Sequence, residues 1–254
     1  MTHFYLGTHE PSWLGRLDVP LFVSHRRLAR LRTLPKARVG WALDSGGFTE
    51  LSMHGHWETE PAAYVDACRR YMVEIGRLEW ASPMDWMCEP FMVEKTGLTL
   101  DRHQALTVEN LLLLRQLAPD VPFVPVLQGF ELEDYVACID RYAAAGVDLL
   151  AEPTVGVGSV CRRQSTTEVL GVFTELSRCG VRCHGFGVKM LGLRQYADHL
   201  VSADSMAWSY NARRNPPLPD CAHGKHGTGS CANCSRWALR WRDRAISTLK
   251  ASAA

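Results

Sequence analysis

The sequence lacks any long apolar run, since no stretch approaches the roughly 20 consecutive apolar residues that cross a bilayer. Its first residues also lack the basic-then-apolar order of a secretory signal peptide. Internal repeats and low-complexity linkers are absent as well. We therefore expect a soluble, cytoplasmic protein that has no membrane partner.

Hydrophobic residues make up 46% of the 254 residues and charged residues 22%, which predicts a large core and excludes wholesale disorder. There are nine cysteines, an odd number. Six are scattered through apolar or helical stretches, while three lie near the C-terminus beside two histidines. In an intracellular protein, such a cluster favours a metal site over disulfides.

The net charge of +1 indicates no particular partner, but the charges are unevenly distributed. From Asn211 to Ala254 there are eight basic and two acidic residues, so this tail carries +6 and the preceding part −5. Such asymmetry can mark an anionic partner, and a solvated basic helix is the alternative explanation.

Short apolar stretches alternate with amphipathic ones, which predicts a parallel sheet with helical crossovers. Eight strand candidates in a chain of this length favour an α/β fold of the TIM-like (β/α)8 barrel type. We expect strands at Phe4–Gly7, Pro20–Ser24, Val39–Leu43, Trp80–Ser82, Val121–Leu127, Asp148–Ala151, Val181–Gly185 and Ser202–Asp204. We expect helices at Glu60–Ile75, Thr107–Leu117, Leu132–Ala145, Thr166–Ser177 and Ser235–Leu249.

One composition break divides the chain, the stiff segment Asn215-Pro-Pro-Leu-Pro219. It predicts a barrel over residues 1–214. Residues 215–254 would then form a metal-binding segment and a basic C-terminal helix that packs on the barrel.

Polar residues interrupt four of the predicted strand ends. Asp44-Ser-Gly-Gly47, Asp85, Gln128 and Asp204 each follow or close an apolar strand. Taken singly, each is an ordinary turn or helix-cap residue. In a parallel barrel, however, carboxyl strand ends converge on one mouth, and paired carboxylates there suit glycosidic chemistry.

The sharpest local pattern is a cluster of cysteines and histidines after the composition break. Cys231 and Cys234 form a C-x-x-C pair that can hold one ion, and tetrahedral zinc needs two further ligands. Cys221 supplies one, and either His223 or His226 supplies the other. Four protein ligands predict a structural zinc site and not a catalytic one.

Several segments resemble, in order, motifs of the queuine-type tRNA-guanine transglycosylases and of their DNA-modifying relatives. Asp44-Ser-Gly-Gly-Phe48 resembles the D-S-G-G-F/Y motif of that family. Asp85 with Cys88 is similar to its D-E-C-x-P stretch, and Gln128-Gly129 to its Q-G-G motif. Thr154-Val-Gly-Val-Gly158 resembles its G-L-A-V-G loop.

The spacing of the last motif is the closest match. Asp204-Ser-Met-Ala-Trp-Ser-Tyr-Asn-Ala-Arg213 keeps the length of the family's D-C-V-L-P-T-R-N-A-R, which opens on the nucleophilic aspartate. The preceding His184-Gly-Phe-Gly-Val-Lys189 is similar to the strand before that nucleophile, and the cysteine cluster follows in family order. The residue two after Cys221 is His223, which favours it over His226.

Two departures from the family pattern favour the compact 7-deazaguanine DNA transglycosylases (DpdA-like) of phages and bacteria. The chain is shorter than the members that act on tRNA, and its second zinc ligand would be histidine in place of cysteine. The resemblance implies exchange of guanine in DNA for a 7-deazaguanine base, such as the 7-cyano form, through a covalent aspartyl intermediate. It implies a cytoplasmic location in a bacterium or a phage-infected host, and partners that open the duplex.

The resemblance also assigns roles to individual residues. Asp204 would be the nucleophile and Asp44 the acid/base group. Arg213 and Arg214 would bind the nucleic acid, with DNA favoured over tRNA. The residues expected to bind the substrate base are Ser45, Gly46, Gly47, Phe48, Asp85, Gln128, Gly129, Thr154, Gly156 and Gly158. The zinc ligands would be Cys221, His223, Cys231 and Cys234.

Three alternatives remain open from the sequence. The first is the same base exchange on tRNA. The second is a glycosidase that releases the base to water. The third is a non-catalytic zinc protein that binds nucleic acid, although such a module needs no carboxylates at three strand ends.

Overall fold

The structure is a computed structural model that describes residues 2–163, 166–219, 221 and 229–252. In these residues the chain forms an α/β fold around one eight-stranded, parallel sheet. The strands are β1 (His3–Thr8), β2 (Leu21–Ser24), β3 (Trp41–Asp44), β4 (Leu78–Ala81), β5 (Val126–Leu127), β6 (Val155–Val157), β7 (Cys183–Gly185) and β8 (Ser202–Ser205).

The order of the strands in the sheet is β4-β3-β2-β1-β8-β7-β6-β5, so the first and last strands of the chain are neighbours. The sheet is curled, and its two ends approach one another beside β4 and β5. Ala81 of β4 forms an isolated parallel bridge with Phe123. The Ala81 N–H donates to the Pro122 carbonyl at 3.0 Å, and the Val124 N–H donates to the Ala81 carbonyl at 3.1 Å.

Ten α-helices lie among the described residues, most of them between successive strands. They are α1 (His25–Leu28), α2 (Gly47–His54), α3 (Pro61–Glu74), α4 (Pro90–Thr96), α5 (Leu100–Leu117), α6 (Leu132–Ala144), α7 (Thr167–Arg178), α8 (Met190–Tyr196), α9 (Ala207–Arg213) and α10 (Ser235–Ser252).

The predicted helices are confirmed, with one clear difference at the start of α5. This helix begins at Leu100, about two turns before the predicted Thr107, because Thr99 acts as its N-cap. The Thr99 hydroxyl accepts a hydrogen bond from the Arg102 N–H, which satisfies one of the free donors of the first turn.

The predicted strand Asp148–Ala151 is wrong, because these residues form a turn. The Asp148 carboxylate accepts a hydrogen bond from the Leu150 N–H at 2.9 Å, a local bond that competes with strand pairing. The sixth strand is instead Val155–Val157, with a glycine at its centre. A Cβ at Gly156 would lie 2.5 Å from the Phe186 ring, so only glycine fits beside it.

Aromatic side chains fill the interior of the curled sheet and form the base of the site described below. Tyr5, Trp80 and Phe22 pack together there, with Phe186 against them. Trp80 Nε1 donates to the Tyr5 hydroxyl at 3.0 Å, so the polar atoms of this layer are satisfied internally.

The last helix packs on the outside of the sheet. Trp241 of α10 is buried, and its ring centre lies 6.2 Å from that of Phe4 in β1. Trp237 is partly buried against the same core, so both tryptophans serve packing. Among the described residues, no helix combines the length and apolar character needed to cross a membrane.

Candidate functional site

One cavity of about 600 Å³ opens at the carboxyl ends of the strands. Every strand, or the loop that follows it, contributes at least one lining residue. This is expected because parallel strands place their carboxyl ends at the same edge of the sheet. In strand order these residues include Thr8, Ser24, Asp44, Asp85, Gln128, Gly158, Gly187 and Asp204. The structure therefore brings the four polar groups singled out at strand ends into one pocket.

Asp204 lies in β8 and is buried, with its carboxylate held by its neighbours. Its Oδ1 accepts a hydrogen bond from the Gly187 N–H at 2.8 Å. His184 Nε2 lies 3.4 Å from the same oxygen, and His184 Nδ1 lies 2.8 Å from the Ser202 hydroxyl. Burial lowers the pKa of His184 despite the nearby carboxylate, so this imidazole is neutral at pH 7.

Asp44 ends β3 and also lines the pocket. Burial raises the pKa of Asp44, and the charge of Asp204 raises it further, although hydrogen bonds from the Gly46 backbone and Ser24 oppose this. The Gly46 N–H donates to Asp44 Oδ1 at 3.1 Å. Burial and the charge of Asp204 thus both disfavour the ionised form of Asp44, which suits an acid that works beside a nucleophile.

The Ser45-Gly46-Gly47 turn after β3 requires both of its glycines. Gly46 has φ +83°, and a Cβ there would lie 2.8 Å from Cγ of Arg26. A Cβ at Gly47 would lie 2.7 Å from the Trp57 ring. The turn therefore needs the small residues because it is packed closely on both sides.

Asp85 and Gln128 form the third part of the pocket. Gln128 Nε2 donates to Asp85 Oδ2 at 2.5 Å, while the Ser45 hydroxyl lies 3.5 Å from Asp85 Oδ1. Burial raises the pKa of Asp85 to about 7. A Cβ at Gly158 would lie 2.3 Å from Gln128 Nε2, so the glycine makes room for this amide.

Phe48 lies at the rim, 40% exposed, but one side of its ring is occupied. The Arg162 guanidinium lies 5.0 Å from the centre of the Phe48 ring and 4.4 Å from that of Phe91. A base that stacks on Phe48 must use the remaining face or displace Arg162.

The remaining predicted base-binding residues do not line the pocket. Thr154 precedes β6 and so lies at the amino end of the strand, away from the mouth. Gly156 lies inside the sheet beside Phe186, and a Cβ at Gly129 would meet Asp134 and Tyr135 at 2.9 Å. These two glycines serve packing in the described structure.

Arg213 and Arg214 end α9 on the surface, where the Arg214 guanidinium lies 4.1 Å from the Tyr210 ring centre. Arg213 and Arg27 are close enough to His9 to lower the pKa of that histidine, although burial contributes most to the lowering. Arg213 therefore lies near the β1 side of the pocket mouth, because His9 lines the pocket.

Sequence reasoning missed a group of arginines at this mouth. Arg26, Arg27 and Arg30 line the pocket just after β2. Arg26 is bound to Glu50, with Nη1 2.5 Å from Oε1. Arg27 and Arg30 are exposed and form no ion pair or hydrogen bond with the described residues. Their position directly after a predicted strand could have identified them as residues of the pocket mouth.

The cysteine cluster lies outside the pocket. The Sγ atoms of Cys221, Cys231 and Cys234 all lie within 4.8 Å of one another, so they can hold a metal ion. The Leu218 N–H lies 3.4 Å from Cys231 Sγ, as suits a thiolate that also binds a metal. The predicted fourth ligand, His223 or alternatively His226, lies outside the described residues.

Gly46→Ala is expected to destabilise the protein more than Gly97→Ala. Both positions have positive φ, +83° and +69°, so each alanine costs about 1–2 kcal/mol in backbone strain. Only the Gly46 variant also collides with Arg26, which Glu50 holds in place. Chemical denaturation measures both free energies of unfolding, and equal losses would contradict the collision.

Comparison with known proteins gives one result. A family model described as DpdA, DeoxyPurine in DNA protein A, matches residues 1–253. No protein with a curated description matches the chain. The family match therefore spans the pocket, the cysteine cluster and the whole of α10.

Proposed function

Because this chain belongs to the DpdA (DeoxyPurine in DNA protein A) family, the DNA 7-deazaguanine transglycosylases, we propose that it exchanges guanine in DNA for a 7-deazaguanine base. The family supports a function in deazapurine modification of DNA. The observation that carries the reaction is the pocket in which Asp44, Asp85 and Asp204 meet.

Asp204 is our candidate nucleophile. The Gly187 N–H engages its Oδ1, and within the described residues its Oδ2 has no hydrogen-bond partner. We assign the attack on C1′ of the nucleotide to Oδ2. The C1′–N9 bond breaks and its electron pair leaves with guanine, so that a glycosyl ester of Asp204 remains.

Asp44 is our candidate acid and base. The pKa of Asp44 is raised by burial, which favours the protonated form, and in this proposal that proton passes to the departing guanine. In the second half-reaction N9 of the 7-deazaguanine attacks C1′, loses its proton to Asp44 and releases Asp204. Two displacements retain the configuration at C1′.

Asp85 and Gln128 are our candidates for reading the base. A carboxylate accepts from the N1–H and 2-amino groups of a guanine-like edge, while an amide N–H donates to its O6. Since a base inside a duplex cannot enter the pocket, the nucleotide must be flipped out or single-stranded. Phe48 would stack on the heterocycle with its free face.

We interpret the curled sheet as a TIM-like (β/α)8 barrel, closed through the bridge between Ala81 and Phe123. Residues 1–214 would form the barrel. Residues 215–254 would form the zinc-binding segment and the basic helix α10, which packs on the barrel. The three cysteines fit zinc by donor chemistry, and His223 or His226 would complete a tetrahedral site. Zinc would hold this segment in place and take no part in the reaction.

Asp204→Asn should lower base exchange at least about a thousandfold, since the amide cannot act as nucleophile. Incorporation of labelled guanine into DNA measures the exchange, and tRNA offered in parallel tests the alternative substrate. A denaturant-resistant protein–DNA adduct should also disappear. Asp198→Asn, at an exposed carboxylate outside the pocket, is the matched control. Full activity of Asp204→Asn would place the nucleophile elsewhere.

Arg27→Glu and Arg30→Glu should weaken DNA binding, because these unpaired arginines flank the mouth through which the nucleotide enters. If each contacts a phosphate, the slope of log affinity against log salt should fall by about 1 per variant. Fluorescence anisotropy with a short oligonucleotide measures affinity and slope. Arg16→Glu, an exposed residue outside the pocket lining, should leave both unchanged. An equal loss in Arg16→Glu would point to a general effect of charge.

The zinc assignment predicts about one zinc ion per chain in freshly purified protein. Cys231→Ser should lower the zinc content and the melting temperature, because Cys231 is fully buried in the cluster. Cys179→Ser, at an exposed cysteine outside the cluster, should change neither quantity. Elemental analysis and thermal denaturation test both statements. Wild-type protein without zinc would refute the site.

A further inference from the structure

In the wall of the pocket, four buried side chains form one series of hydrogen bonds: Asp85, Gln128, Ser159 and Glu89. Asp85 Oδ2 lies 2.5 Å from Gln128 Nε2, and Gln128 Oε1 lies 2.7 Å from Ser159 Oγ. Ser159 Oγ lies 3.0 Å from Glu89 Oε2. All four residues line the pocket. Asp85 and Gln128 read the base in the proposed function, whereas Ser159 and Glu89 have had no role so far.

The number of hydrogens available to these four side chains decides which of them donate and which accept. Ser159 Oγ carries one hydrogen and already accepts from the Cys88 N–H at 2.8 Å. Its single hydrogen cannot point to Gln128 Oε1 and to Glu89 Oε2 at once. If both carboxyl groups were ionised, two acceptors would face each other without a hydrogen between them. Such an unsatisfied contact is costly between buried groups, and all four side chains are buried although they line the pocket.

Two arrangements satisfy every atom, and each contains one carboxyl proton. In the first, protonated Glu89 donates to Ser159, Ser159 donates to Gln128 Oε1, and Gln128 Nε2 donates to ionised Asp85. In the second, Ser159 donates to ionised Glu89, and the Gln128 amide is turned over. Its Nε2 then donates to Ser159, while Oε1 accepts from protonated Asp85.

The two arrangements present different hydrogen-bond donors and acceptors to a ligand. The first offers a carboxylate acceptor at Asp85 and leaves the second N–H of Gln128 free to donate, which complements a guanine-like edge. In the second arrangement Asp85 is neutral and the Gln128 N–H group turns towards Ser159. The position of one proton therefore changes which base edge the pocket accepts.

The backbone at Ser159 gives independent support for a role of its hydroxyl. Ser159 has φ +57°, in the left-handed region where glycine is favoured over residues with a Cβ. The preceding residue, Gly158, is a glycine in close contact with Gln128. A serine held in this conformation between Gln128 and Glu89 points to a side chain that the site uses.

We propose that Ser159 and Glu89 are positioning residues that hold one shared proton, fix the amide orientation of Gln128 and keep Asp85 an acceptor for a guanine-like base. This inference rests on the proposed function for the identity of the ligand. It goes beyond that function because it names two further residues and the way in which they set specificity.

Other charges and titratable groups surround the chain. Burial raises the pKa of Asp85 to about 7, and the hydrogen bond from Gln128 opposes this rise. Around Glu89 lie titratable and charged groups from several elements, namely Cys88, Cys161, Tyr135, Asp134 and Arg163. Since the two arrangements hold the same number of protons, pH does not convert one into the other. As the pH falls through about 7, a further proton binds to Asp85 and removes its carboxylate acceptor.

The test is guanine binding by calorimetry between pH 5.5 and 8.5 in wild type and variants. Wild-type affinity should fall as the pH drops through about 7. Glu89→Gln mimics the protonated carboxyl, since its amide N–H donates to Ser159 permanently. It should lower the midpoint by about one pH unit. Glu94→Gln makes the same change of charge at an exposed residue of α4 and should not shift the midpoint.

The Ser159→Gly variant tests whether Glu89 acts on Asp85 through the hydrogen bonds or only through charge repulsion. Glycine suits the φ of this position, so the variant should fold, but it removes the hydroxyl link. Guanine affinity at pH 8 should fall about tenfold, the effect of one lost hydrogen bond. Adding Glu89→Gln to Ser159→Gly should then produce little further shift. A full shift in the double variant would show that charge alone acts, and would overturn the inference.

An infrared titration without any base separates this inference from the proposed function. The band of a protonated buried carboxyl group, assigned with Asp85→Asn, should titrate with the midpoint found for guanine binding. It should move with Glu89→Gln. An unmoved band would overturn the inference even in an active enzyme. Absence of base exchange by the wild type at every pH, with the band moving as expected, would overturn the proposed function alone.

Discussion

Four carboxyl groups lie in or directly beneath one pocket, and the cost of burying them together constrains the rest of the site. Desolvation and mutual repulsion both oppose ionisation of Asp44, Asp85, Glu89 and Asp204. The cationic side chain of Arg26 lies at the rim and is already bound to Glu50. The pocket therefore stabilises its negative charge mainly with neutral donors, such as the N–H groups of Gly46 and Gly187 and the Gln128 amide. It also raises the pKa of Asp44 and Asp85, which leaves protons available for chemistry.

The glycines of the site follow from the same constraint. The Gly46 N–H donates to Asp44 from a tight turn. Only glycine suits this position, because its φ is +83° and Arg26 occupies the space of a side chain. Gly158 serves in a different way, since its missing Cβ makes room for the Gln128 amide that binds Asp85. The Ser45-Gly46-Gly47 turn and Gly158 thus both help a neutral hydrogen-bond donor to reach a buried carboxylate.

Asp44, Asp85, Gln128 and Asp204 could be found from the sequence because parallel topology alone places strand ends together. Each is a polar residue at the end of an apolar stretch, and a parallel sheet brings such ends to one edge. The false strand at Asp148–Ala151 shows the limit of that signal, since an apolar pair in a turn resembles a short strand. Ser159 and Glu89 could not be found in this way. They are 70 positions apart, and their contact depends on one left-handed residue that no periodicity reveals.

The basic residues that cluster in the sequence are not the ones that line the pocket mouth in the structure. The excess of basic residues lies in the C-terminal tail. The unpaired arginines at the pocket mouth come instead from the segment after β2, with Arg27 in α1 and Arg30 just beyond it. The parallel pairing of β8 with β1 brings the two groups to one side, since Arg213 ends the helix that follows β8 and acts on His9 after β1. An acidic interior thus opens beside a basic rim over β8, β1 and β2. In the proposed function this basic rim would take the sugar–phosphate strand, because the arginine near Phe48, Arg162, lies against the rings of Phe48 and Phe91.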